Sequence, residues 1–148
     1  MASSSSLASV RAFVALVTEG DAPALHDLAR ALDSLAVAYH DAPPGQPAEF
    51  EAEPPTADYA ALYETLSARF PDLGFYASTD PSEPDSEVLT GDAIDDLTDI
   101  VSELTELSWR EAVLGADDAH WFLRFLFGAH WGRHMRDLSL YLHVKQFG

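Results

Sequence analysis

The sequence predicts an all-α fold: a single-domain bundle of about five helices with a long, largely buried C-terminal helix. Three observations carry that reading. Apolar residues recur at three- and four-residue spacing in five separate stretches. Strand signals are almost absent, so helices must pack on helices. The last thirty residues hold Trp121, Phe122, Phe125, Phe127 and Trp131 around most of a helix circumference, the pattern of a helix with neighbours on several sides.

The elements follow in order. Residues 1–6 are expected to be a disordered N-terminus, with residues 7–148 forming one helical domain. Ser5 or Ser6 can cap a first helix from about Leu7 to Glu19, whose stripe is Leu7, Val10, Phe13, Val14 and Val17. Gly20 stops it. A second helix begins after Asp21 with Pro23 in its first turn, and Leu25, Leu28, Leu32, Leu35 and Tyr39 lead it to His40. Residues 41–57 collect five prolines with Glu49, Glu51 and Glu53, which predicts a mobile acidic loop. A third helix spans Ala57 to Phe70 and ends at Pro71. Residues 77–90 form a second acidic, proline-containing loop. A strand at Gly74–Ala77 has no evident partner. Asp92 suits the N-cap of a fourth helix, with Ile94, Leu97, Ile100, Val101, Leu104 and Leu107 inward and Gly115 at its end. The fifth helix runs from Asp117 or Asp118 to Lys145, about 42 Å if straight.

Charge is unevenly spread. Residues 1–109 carry 3 basic and 21 acidic side chains, a net −18, while residues 110–148 carry 5 basic and 4 acidic, a net +1. Such a surface repels phosphate backbones and anionic lipid, so neither direct nucleic-acid binding nor membrane binding is expected. The chain has no cysteine, which excludes thiolate chemistry and fits a cytoplasmic location. Residues 1–6 lack the basic region of a signal peptide. No stretch nears the ~18 apolar residues of a membrane span. The charge split points to a non-enzymatic protein-interaction module with a basic protein partner.

The alternative rests on the histidines. At 100° per residue, His130, His134, Asp137 and Tyr141 fall within about 60° of one another. His130 and His134 are one turn apart, so both imidazoles can reach one ion. Asp137 can add an oxygen or orient a ring. Two histidines and a carboxylate suit a divalent transition metal: zinc, nickel or iron. A third ligand can come from His40, or from Asp95 or Asp99 of helix 4. The trio His40, His130 and His134 resembles the three-histidine site of DinB-like helical bundles, which implies a metal-binding, hydrolytic reading. The competing reading is structural: half-buried histidines that donate to carboxylates on a neighbouring helix. Gly128 and Gly132, also one turn apart, predict a close-packed notch or a homodimer seam. No phosphate-binding glycine loop and no nucleophilic triad stand out.

Most of the chain resembles a bacterial family, the domain of unknown function 5063. The specific blocks are Gly91-Asp92-Ala93-Ile94-Asp95-Asp96-Leu97 and His130-Trp131-Gly132-Arg133-His134, supported by Phe13–Asp21 and Phe70–Tyr76. The resemblance implies a small bacterial protein and no assigned activity.

Overall fold

A computed structural model describes residues 4–148. Helices α1 (Ser5–Thr18), α2 (Leu25–Asp41) and α3 (Tyr59–Arg69) precede a hairpin of β1 (Phe75–Ser78) and β2 (Leu89–Asp92). Then come α4 (Ala93–Leu114), α5 (Ala116–Leu126), a π-helical turn (Phe127–Trp131) and α6 (Gly132–Phe147). The architecture is the helical bundle the periodicity predicts. Residues of every helix meet in one apolar cluster, with Leu7, Leu28, Leu32, Leu66, Leu97, Ile100, Leu123, Trp131 and Leu138 at its centre. Among the described residues no helix is long and apolar enough to cross a membrane.

The boundaries have local causes. Ser4, not Ser5 or Ser6, caps α1: its Oγ accepts from Leu7 N. Ser5 and Ser6 are helical, so the expected disordered terminus does not include residues 4–6, and residues 1–3 lie outside those described. Gly20, at φ +62°, turns the chain out of α1. Arg69 then closes that end by donating to the carbonyls of Val17 (2.6 Å), Gly20 (2.8 Å) and Glu19 (3.0 Å), where a cation meets the negative end of the dipole. Pro23 sits before α2, which starts at Leu25. Asp92 caps α4 by accepting from Ile94 N (2.9 Å) and Asp95 N (3.3 Å).

Two expectations change. The strand near residue 75 does have a partner: β1 pairs antiparallel with β2, Phe75 opposite Asp92 and Ser78 opposite Leu89, so residues 77–90 begin and end in strand. The loop after α2 is pinned rather than loose. Gln46 N donates to Asp117 O (3.1 Å), and Ala48 N donates to the buried Asp118 carboxylate (3.0 Å), which Arg110 also engages (2.9 Å). Burying a carboxylate is affordable only with such partners.

The C-terminal helix is continuous but not uniform. The π turn inserts between α5 and α6, and α4 holds the middle of the bundle, packed on α1, α3, α5 and α6. The turn requires glycine at 132: a Cβ there would fall against the Phe127 carbonyl oxygen of its own helix. Gly128 instead faces open space. The two glycines therefore do not share one intrachain packing notch.

Candidate metal centre

The site forms where α4 runs beside the π turn and α6. The apolar face of α4 fixes its rotation: Leu97, Ile100, Leu104 and Leu107 are buried at 0–1% exposure. That rotation turns Asp96, Asp99 and Glu103, within about 60° of one another, toward His130 and His134 of the C-terminal helix. Trp131, Met135 and Leu138 are the matching anchors on the other side, each at 0–1% exposure. His130 and His134 flank this packed seam.

Both imidazoles are held by carboxylates. His134 Nδ1 lies 2.6 Å from Asp96 Oδ1, and His130 Nδ1 meets Glu103 Oε1. Donation from Nδ1 to a carboxylate leaves the proton there and the lone pair on Nε2. The two Nε2 atoms face each other at 3.0 Å, with the rings nearly perpendicular at 86°. Asp99 Oδ2 completes a triangle, 3.2 Å from His134 Nε2 and 3.9 Å from His130 Nε2. A tetrahedral zinc ion with bonds of about 2.0–2.2 Å has ligand–ligand edges of about 3.3 Å. The observed edges bracket that figure. Asp99, His130 and His134 thus converge as a three-ligand set.

Tyrosines surround the acids. Tyr76 donates to Asp96, Tyr59 to Asp95 and Tyr63 to Asp92 (2.6 Å). Tyr76 comes from β1 and stacks on Tyr141 at 5.1 Å; the Tyr141 hydroxyl in turn accepts from Gly74 N (3.0 Å). The hairpin is therefore tied to α6 and delivers a donor to Asp96. Burial, then the Asp96 hydrogen bond, pushes the Tyr76 phenol far up, so it remains a donor at neutral pH. A hydrogen bond to Asp92 raises that of Tyr63.

Burial dominates the electrostatics of the acids. Burial, followed by Asp95, raises the Asp99 carboxyl above its ordinary range. Burial also raises Glu103. The Asp96 hydrogen bond raises His134. Glu103 Oε2 is buried and, among the described residues, meets no hydrogen-bond donor. An orphaned buried oxygen calls for a proton, a water or a cation. Access exists through His130, whose side chain is 46% exposed.

The other predicted ligands lie elsewhere. Asp137 is taken by Arg133, whose Nε lies 3.0 and 3.1 Å from its two oxygens. The one-turn spacing that places Asp137 near His134 also places it beside Arg133, and the guanidinium wins it. His40 is exposed and packs edge-on to Tyr39 at 5.1 Å; neither Asp137 nor His40 is in the converging set. Asp99 stands in the third position. In the sequence, Asp92, Asp95, Asp96 and Asp99 form one acidic helix flank that reads as a solvated face. Nothing in that pattern assigns Asp96 or Glu103 to a histidine or gives the tyrosines a role at the site.

A family model described as a domain of unknown function (DUF5063) matches residues 5–147. Among solved structures, the chain is similar to the crystal structure of protein BF1032 from Bacteroides fragilis. The two share 14% identity at a TM-score of 0.76, covering 97% of this chain and 90% of that one. At this identity the likeness concerns the fold alone. No curated protein matches the chain.

Proposed function

Because the chain belongs to the domain of unknown function 5063 family over residues 5–147, a description that carries no activity, we propose a function from its geometry: it binds one divalent transition-metal ion. The ligands are His130 Nε2, His134 Nε2 and Asp99. The observation that carries the proposal is the pair of facing Nε2 atoms, 3.0 Å apart, each on a ring whose Nδ1 meets a carboxylate. Two lone pairs that close repel unless a proton or a cation sits between them. Carboxylate–histidine pairs of this kind orient rings and raise ligand basicity in metal sites. Two histidines and one carboxylate fit zinc, iron or nickel. Three protein ligands leave coordination positions for water or a small molecule, so the site also fits hydrolytic use.

Zinc titration of chelator-stripped protein tests this, with elemental analysis of the loaded product. About one equivalent is expected, lost in the His130→Gln/His134→Gln double variant. Sub-stoichiometric zinc, unchanged in that variant, overturns it.

The charge split supports a second reading, an interaction module for a basic protein. Glu49, Glu51 and Glu53 are exposed just beyond the pinned Gln46 and Ala48, so they present acidic side chains to solvent. Binding of a basic protein such as a histone should weaken steeply as salt rises. Affinity constant across a tenfold range of ionic strength counts against it.

A further inference from the structure

A cleft lies on another flank of α4. Helices α1 and α3 both pack against α4, and residues 55–58 border the space left between them. The cleft measures about 500 Å³, within the usual size of a small-molecule pocket. Its apolar wall is Val14, Leu62, Val101 and Trp109. Its charged residues are Asp58 and Glu106, and no Lys, Arg or His lines it among the described residues. Glu106 gives one oxygen to Arg110 Nε (3.0 Å). Asp58 caps α3, accepting from Ala61 N (3.1 Å). Neither contact uses all the acceptor capacity of its carboxylate.

We propose that this cleft binds a small organic ammonium carried on an apolar body. The choice of class follows from the lining. The walls remove apolar surface from water. The two acids in the lining select a cation and reject an anion of the same shape. An indole such as that of Trp109, which lines the cleft, is a favourable neighbour for an ammonium. The chain's net charge of −17 raises the local concentration of cations. This site is separate from the histidine centre, because the carboxylate stripe that faces His130 and His134 lies on the neighbouring side of α4.

Calorimetric titration with phenethylammonium tests the proposal, with 3-phenylpropionate as the anion of matching body. EDTA is kept in all samples, so that amine ligation of a metal contributes nothing. Saturable binding of phenethylammonium is expected, with phenylpropionate at least about tenfold weaker. Asp58→Asn/Glu106→Gln should weaken the ammonium about tenfold; asparagine keeps the helix cap, so folding is preserved. Ser102→Phe, which fills the cleft, should abolish binding with thermal unfolding unchanged. Three results overturn the proposal: no saturation up to ~10 mM ammonium, equal binding of the carboxylate, or undiminished binding in folded Ser102→Phe.

Discussion

Asp96→Asn isolates the logic of the metal centre in one atom. Asp96 is 4% exposed and accepts from both Tyr76 and His134 Nδ1 (2.6 Å). Asparagine keeps the shape but replaces one oxygen with an NH2 donor. If the carbonyl keeps Tyr76, the amide faces His134 Nδ1, and two donors cannot share a bond. The imidazole answers by moving its proton to Nε2, the atom that faces His130 at 3.0 Å and Asp99 at 3.2 Å. A protonated Nε2 has no lone pair for a metal. Loss of an orienting carboxylate costs about 10–100-fold in metal affinity, or about 1.4–2.8 kcal/mol. The metal-free fold should lose about 1–3 kcal/mol, as charge-assisted bonds become neutral ones. Tyr76→Phe is the control. It removes the outer donor and leaves the His134 contact, so its effect on affinity should be under about tenfold. The assays are zinc calorimetry on stripped protein and 15N imidazole shifts, which report the tautomer. Zinc affinity within about threefold of wild type in Asp96→Asn, with Nδ1 still protonated, refutes the reasoning.

Other predictions probe the same frame. For pH, the Asp96 hydrogen bond raises the folded His134 above its ordinary ~6.5. Its contribution to metal-free stability is thus complete below that value and lost as pH rises through the folded pKa. Zinc affinity must run the other way, rising with pH as the ligands deprotonate; urea unfolding with and without zinc reads both slopes. Gly132→Ala places a methyl group against the Phe127 carbonyl. It should cost about 1–3 kcal/mol through strain and weaken zinc by misaligning His130, whereas Gly128→Ala, in open space, should stabilise by up to ~1 kcal/mol. Asp118→Ala strands Ala48 N–H and one Arg110 contact. Limited proteolysis should then cut residues 42–58 faster, with about 1–3 kcal/mol lost in thermal unfolding.

The helices were legible because each carries its own apolar stripe, and Asp92 and Gly115 are local start and stop signals for α4 that need no tertiary context. The hairpin was not. Its strands are only four residues long, half exposed and half partly buried with none fully buried. They are too short for an alternation to stand out in the sequence, and the partner lies beyond a proline-containing loop. The π turn was hidden because Gly128 and Gly132, read at α-helical spacing, look like a packing pair; the positional need for Gly132 exists only once the turn does. In the site, the i,i+4 spacing of His130 and His134 predicted that their rings would meet. The choice of Asp99 over His40 and Asp137 depended on the rotation of α4 against α6 and on Arg133 capturing Asp137. The rotation is not encoded within one segment; the Arg133–Asp137 pair is a local i,i+4 contact that competes with the metal reading from the same helix.

The most direct measurement is anomalous diffraction at the zinc edge from crystals grown with zinc. The predicted result is a peak at about 2.0–2.2 Å from His130 Nε2, His134 Nε2 and Asp99, with Asp96 and Glu103 still on the two Nδ1 atoms. A map with no peak there, and a direct N–H···N hydrogen bond between the two rings, contradicts it.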